Sequence, residues 1–270
     1  MLFNAFAMSK IDLVRLKIER ANKHIRELQA AILAFNATNP HEVSAKRDPQ
    51  TRKLIYYVLK AEPVPVEIAM IAGDILHNLR SALDHLAYQL FMVGTRGVGD
   101  PKHVYFPIFD DAAKYKAGVG GKVKGMRQDA IDAIDAIKPY KGGNDTLWRL
   151  HKLDNFDKHR LLITVGAAFS NFNVGQHLGP KLAEMMKAQG LPMPAIPDLY
   201  ISPTDRMFPL KAGDELFIDA PDAEVNEKIK FLFDIAFGEP GVFEGDSILE
   251  TLQGMLDLVN NLVSDFAPLL

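Results

Sequence analysis

The apolar residues of this chain recur first at helical spacing and later at alternating spacing. From residue 9 to 37, Ile11, Leu13, Val14, Leu16, Ile18, Ile25, Leu28, Ile32 and Leu33 fall mostly three and four apart. That spacing predicts a long amphipathic helix with a charged outer face. "SKID" offers Ser9 and Asp12 as a capping box at its start. Met8 is then expected near the natural start, with residues 1–7 a loosely attached extension. "VSAKRDPQTRKLIYYVLK" sets a turn at Asp48-Pro49 between strand formers, the pattern of a β-hairpin. "EPVPVE" ends that strand and launches a second helix from about Val66 to Val93, with Pro65 near its first turn.

After this helix the pattern is more broken. "HVYFPIFD" predicts a short extended segment, and "KYKAGVGGKVKGMR" (residues 114–127) a basic, glycine-rich loop. "RQDAIDAIDAIKPY" predicts a short amphipathic helix stopped by Pro139. "GGNDTLWRLHKLDNF" starts another helix capped by Asn144 or Asp145, and "RLLITVGAAF" reads as a strand leaving it. Residues 171–200 show little periodicity and predict a loop with one short helix around Lys181–Ala188. "PLKAGDELFIDAP" and "EKIKFLFDIAFGE" read as strands, the second alternating Ile229, Phe231, Phe233, Ile235 and Phe237 on one face. "DSILETLQGMLDLVNNLVSDFA" closes the chain as an amphipathic helix with an Asp/Ser cap. The predicted class is α+β: a helical core of long amphipathic helices, an N-terminal β-hairpin, and a C-terminal antiparallel β element plus terminal helix. One domain over residues 8–270 is expected. The alternative is a mainly helical part at 8–160 and a β-rich part with the last helix at 161–270.

Composition narrows the chemistry. The 270 residues contain no cysteine, which excludes disulfides, zinc–thiolate sites, iron–sulfur clusters and a cysteine nucleophile. The absence is compatible with a cytoplasmic protein, the location expected here. A net charge of -3 exerts no global pull toward nucleic acid or anionic membrane, while leaving room for a local basic patch. No apolar run reaches the roughly 18 residues of a membrane span, so no membrane partner is expected.

The candidate chemistry sits on two stretches, "GDILHNLRSALDHLAYQL" and "LHKLDNFDKHRLL". On the first, Ile68, Ala72, Ile75, Leu76, Leu79, Leu83, Leu86 and Leu90 form a core stripe. Gly73, Asp74, His77, Arg80, Ser81, Asp84, His85 and Tyr88 fall on the opposite side. A solvated helix back is usually built from Glu and Lys; this one uses His, Arg, Asp, Ser and Gly. Arg80 and Asp84 are spaced to hold each other, and Gly73 suits a close approach to the backbone. On the second stretch, His151, Asp154, Asn155 and Lys158 flank an apolar side, and Asp157, Lys158, His159 and Arg160 crowd the helix-to-strand junction. Burying both apolar sides in one core brings the polar faces together in a cleft.

Three chemistries fit these residues. Asp74 with His77 and His151 with Asp154, each pair three apart on its own helix, could supply four ligands to manganese, iron or zinc. Without a metal or other cofactor, Arg80, His85 and His159 could act on a phosphodiester, with Asp84 and Asp157 orienting them and His77, Lys158 and Arg160 binding substrate. Or the two faces pack as a buried polar network in a binding or scaffold protein. "RSALDH", Arg80 to His85, resembles the R-x-x-x-x-H motif of the HEPN superfamily of helical nucleotide-binding and ribonuclease domains. The resemblance implies metal-independent RNA or nucleotide cleavage, with Arg80 on the scissile phosphate, His85 as acid/base, and a homodimer whose interface carries the site. On an uninterrupted helix the two side chains diverge by about 140°, which asks for a helix distortion or a partner chain. "GDILHNLRSALDHLAYQL", "FPIF", "LHKLDNFDKHRLL" and "AFGEP" together resemble a group of bacterial proteins of unknown function sharing these blocks in this order. "GVGGKVKG" is no phosphate loop of the Walker type: Lys116 stands at the first glycine and Val123 at the magnesium-binding Ser/Thr.

Overall fold

A computed structural model describes residues 9–160, 165–192, 199–201 and 207–270; the extension expected at residues 1–7, and Met8, lie outside them. The chain divides into two compact units. One comprises residues up to Ala31, Val66–Ile163 and Ile248–Leu270; the other comprises Ile32–Pro65 and Thr164–Ser247. The class is α+β, with the expected N-terminal hairpin, C-terminal sheet and terminal helix.

The first unit is helical. Its elements are most of α1 (Lys10–Ala37), α2 (Val66–Gly94), α3 (Ala112–Lys122), α4 (Gln128–Ile137), α5 (Asp145–Arg160) and α7 (Ile248–Phe266). The capping box forms as read: the Asp12 carboxylate accepts from the Ser9 amide at 3.1 Å, and Ser9 Oγ accepts from the Asp12 amide at 3.3 Å. Asn144, one of the two candidate caps, accepts the Leu147 amide at 3.1 Å and caps α5. The periodic leucines of α2 are all buried, and α2 packs against both α5 and α7.

Between α2 and α3 the chain crosses as a strap, residues 103–110, which enters from a turn, bonds the Ile108 amide to the Phe106 carbonyl at 3.1 Å and joins no sheet; a single bridge links Phe109 to Tyr140. The expected glycine-rich loop is a correction. Residues 112–122 form α3, capped by Asp111, whose carboxylate accepts the Lys114 amide at 2.8 Å. Tyr115 is buried against Phe109 and Tyr140, and a Cβ at Gly118 would stand 2.6 Å from the Phe109 ring. Glycine disfavours helix by about 1 kcal/mol against alanine, but here it lets the helix sit directly on an aromatic ring. Tertiary packing outweighs local propensity.

The second unit holds two antiparallel sheets. The hairpin β1 (His41–Arg47) and β2 (Lys53–Ala61) takes β5 (Glu215–Pro221) as its third strand. The other sheet has the order β4-β3-β6-β7, from β4 (Tyr200–Ile201), β3 (Val165–Asn173), β6 (Phe231–Glu239) and β7 (Phe243–Ser247). Val58, Ala167, Phe169, Phe172, Leu210 and Leu216 make one core for both sheets. The short helix expected at Lys181–Ala188 is longer: α6 spans Val174–Ala188 directly after β3. Asp246 and Ser247, read as a helix cap, also close strand β7: Ser247 pairs with Ala236 of β6 and stands immediately before the first residue of α7.

Candidate functional site

The polar side of α2 splits into two environments. Gly73 and Arg80 are buried and Asp84 is half-buried, while Asp74, His77, His85 and Tyr88 are exposed. The helix is regular from Val66 to Gly94, so Arg80 and His85 keep the divergence of about 140° set by helical geometry. Arg80 turns in beneath the strap and His85 turns out to solvent. A single chain does not bring this pair together.

Arg80 and Asp84 serve the strap's backbone. Phe106 is 1% exposed, and an extended segment outside a sheet must find partners for its buried amide and carbonyl. Asp84 Oδ1 accepts the Phe106 amide at 3.0 Å, and Arg80 Nη2 donates to the Phe106 carbonyl at 3.0 Å. Arg80 Nη1 donates to the same Asp84 oxygen at 2.6 Å. The two side chains pair with Phe106 much as a neighbouring strand would.

The third bond of Arg80 fixes a histidine. Nε donates to His151 Nδ1 at 3.4 Å, and the other ring nitrogen, Nε2, stands 3.1 Å from the Asn155 side-chain amide. A neutral imidazole has one donor and one acceptor. Arg80 Nε faces Nδ1 and the Asn155 amide nitrogen, Nδ2, faces Nε2, so both ring nitrogens are engaged inside the protein. Burial, reinforced by the charges of Arg80, Lys152 and Lys158, pushes the His151 pKa down to about 4. This ring is neutral at pH 7 and held on both sides by the protein.

Deeper on α5, Asp154 is 1% exposed; its Oδ2 accepts from Lys158 Nζ at 2.5 Å, and its Oδ1 faces His77 Nδ1 at 3.5 Å. Asp157 lies against the backbone of α2 at Gly73, where a Cβ would stand 2.4 Å from its Oδ1. The close approach inferred from Gly73 is therefore made by this carboxylate. Burial first, then the charges of Asp154 and Asp74, raise its pKa above the usual carboxylate range. His159 is exposed, and the side chain of Arg160 lies outside the described residues. Of the proposed metal set, His77 and Asp154 meet, and His151 stands with Arg80. Among the described residues no group of three His, Asp or Glu side chains is placed to hold one ion.

A cleft of about 390 Å³ opens along the strap, lined by Arg80, Asp84, His151, Asp154, Asn155 and Lys158 together with Tyr105–Phe109 and Lys122. The faces of α2 and α5 thus meet in a cleft as the sequence implies. Tyr105, Phe106 and Lys122 were not among the expected site residues. Lys122 belongs to the basic segment, but nothing local to Tyr105 marks it. Its ring is 44% exposed and the Lys122 ammonium lies 4.6 Å above it. Asp110, beside the strap, is held well below the usual carboxylate range by Lys152 and Lys114. Among the described residues no helix is long and apolar enough to cross a membrane. Comparison of the chain with known protein families, curated proteins and solved structures finds no match.

Proposed function

We propose that the helical unit binds a phosphate-bearing ligand, a nucleotide or a short single-stranded RNA, in the cleft along the strap. One observation carries this reading: an exposed aromatic ring, Tyr105, with an ammonium over it, lines the same cleft as Lys158. Aromatic rings give bases a stacking surface and flanking cations track phosphates, the combination used for single strands. Arg80 has a different role: it builds the cleft wall, Lys158 is held by Asp154, and Lys122 supplies the movable charge. The test is titration with adenosine and uridine monophosphates and a short oligouridylate. Binding weakens as salt rises and falls about tenfold in Tyr105→Ala, about the value of one stacking contact, with melting temperature unchanged. No saturable binding at millimolar nucleotide, or full binding in both Tyr105→Ala and Lys122→Gln, overturns the reading.

The exposure of His85 favours a second reading, RNA cleavage across a homodimer. Its ring projects from a helix otherwise packed on its core stripe and is open to a second copy. Chelator-resistant cleavage lost in His85→Ala, by a species that sediments as a dimer, supports it. A monomer at tens of micromolar removes it.

A further inference from the structure

The glycine-rich basic segment has a role that the strap cleft does not absorb. A second cavity, of about 600 Å³, shares no lining residue with the strap cleft; Phe91, Thr95, Asp100, His103, Val104 and Lys124 line it together with Gly99, Gly121 and Gly125. Its size is within the range of small-molecule sites. Two buried apolar side chains, Phe91 at 5% exposure and Val104 at 9%, lie on its wall. Three of its positions are glycine, so peptide planes rather than side chains form much of the remaining wall. At Gly125 φ is +90° and a Cβ would stand 2.9 Å from Phe91 and from Thr95; at Gly99 φ is +123°. No larger residue fits either place without strain.

The charged groups on the lining are Lys124 and Asp100. Asp100 Oδ1 accepts the Lys102 amide at 3.0 Å, which turns that carboxylate toward its own loop. Lys124 and His103 are exposed on the lining.

We propose that this cavity is a second binding site, taking a small amphiphilic anion whose flat apolar body lies against Phe91 and Val104 and whose carboxylate or sulfonate meets Lys124 and His103. The site is separate from the strap cleft and stands whether or not that cleft binds nucleotides. Gly121 gives a direct test. It lines the cavity, and a Cβ there meets nothing within 4 Å, so Gly121→Phe adds a ring at the cavity wall with no clash at its first carbon. The probe is 8-anilinonaphthalene-1-sulfonate, followed by fluorescence with the full chain. One saturable site is expected, weakened at least tenfold in Gly121→Phe and several-fold in Lys124→Gln, and unchanged in Asn155→Ala, which lines the strap cleft and not this cavity. Absence of saturable binding overturns the proposal, as does full binding in Gly121→Phe at an unchanged melting temperature. Should Gly121→Phe lower the melting temperature, the exposed Lys124→Gln decides: undiminished affinity with unaltered salt dependence overturns it.

Discussion

Replacing Asp84 with alanine removes one oxygen from two partners at once. Its Oδ1 holds Arg80 Nη1 at 2.6 Å and the Phe106 amide at 3.0 Å. Phe106 is 1% exposed and Arg80 6%, so water reaches neither group easily. A buried amide without an acceptor costs about 1–3 kcal/mol, and a buried charge deprived of its partner about 3–5 kcal/mol. Two facts reduce the sum. The Asp84 side chain is itself 32% exposed, so water replaces part of what is lost, and Arg80 keeps the Phe106 carbonyl and His151 as partners. The expected loss for Asp84→Ala is about 3 kcal/mol. His85→Ala, one residue along and exposed, is expected within about 0.5 kcal/mol of the parent. Urea unfolding read through Trp148 measures both; it is the single tryptophan and is buried in the same unit. Amide exchange should quicken at Phe106 in Asp84→Ala and not in His85→Ala. The double substitution Arg80→Met with Asp84→Leu should cost less than the two single changes added, since it leaves no buried charge alone. An Asp84→Ala variant as stable as the parent, or a His85→Ala variant equally damaged, refutes the account of Arg80 and Asp84 as partners of the strap.

Stability should also fall as pH falls from about 6.5 toward 4, because His151 titrates near 6.5 when unfolded and near 4 in the fold. In that window the unfolded chain binds the extra proton, so stability rises with pH, by up to about 3 kcal/mol across the window. His151→Gln, which keeps an acceptor for Arg80, should flatten that slope in urea titrations at stepped pH; an unchanged slope would show that the ring protonates freely. Within α3, Gly120→Ala meets nothing within 4 Å and should raise stability by about 0.5–1 kcal/mol. Gly118→Ala, with its Cβ 2.6 Å from Phe109, should lower stability by about 1–3 kcal/mol despite the better helix propensity. Paired melting curves check the sign of each, and equal effects would mean that α3 does not rest on Phe109.

Periodicity alone determined the long helices and the hairpin. In α1, α2 and α7 the apolar spacing persists over several turns, and a helix satisfies its backbone locally, so sequence neighbours carry the information. The capping pair Ser9 and Asp12, the Asn144 cap and the core stripe of α2 are local in the same sense. The approach made possible by Gly73 was also legible, but not the identity of what approaches: Asp157 arrives from another helix. Tertiary structure decided the rest. α3 is a helix because Gly118 meets the ring of Phe109, a contact that glycine content alone argues against. β5 joins the hairpin from far along the chain, and β7 forms on β6 directly before α7, since strands take their hydrogen bonds from partners that sequence spacing does not specify. The polar face of α2 read as one candidate site, yet the fold separates it. Asp84 is held in place by Arg80 because the strap's buried Phe106 amide needs an acceptor, and Arg80 adds a second donor to a carbonyl that already accepts the Ile108 amide at 3.1 Å; His85 stays exposed. Residue type proposed the chemistry; the buried amide of Phe106 determined which of those residues became structural.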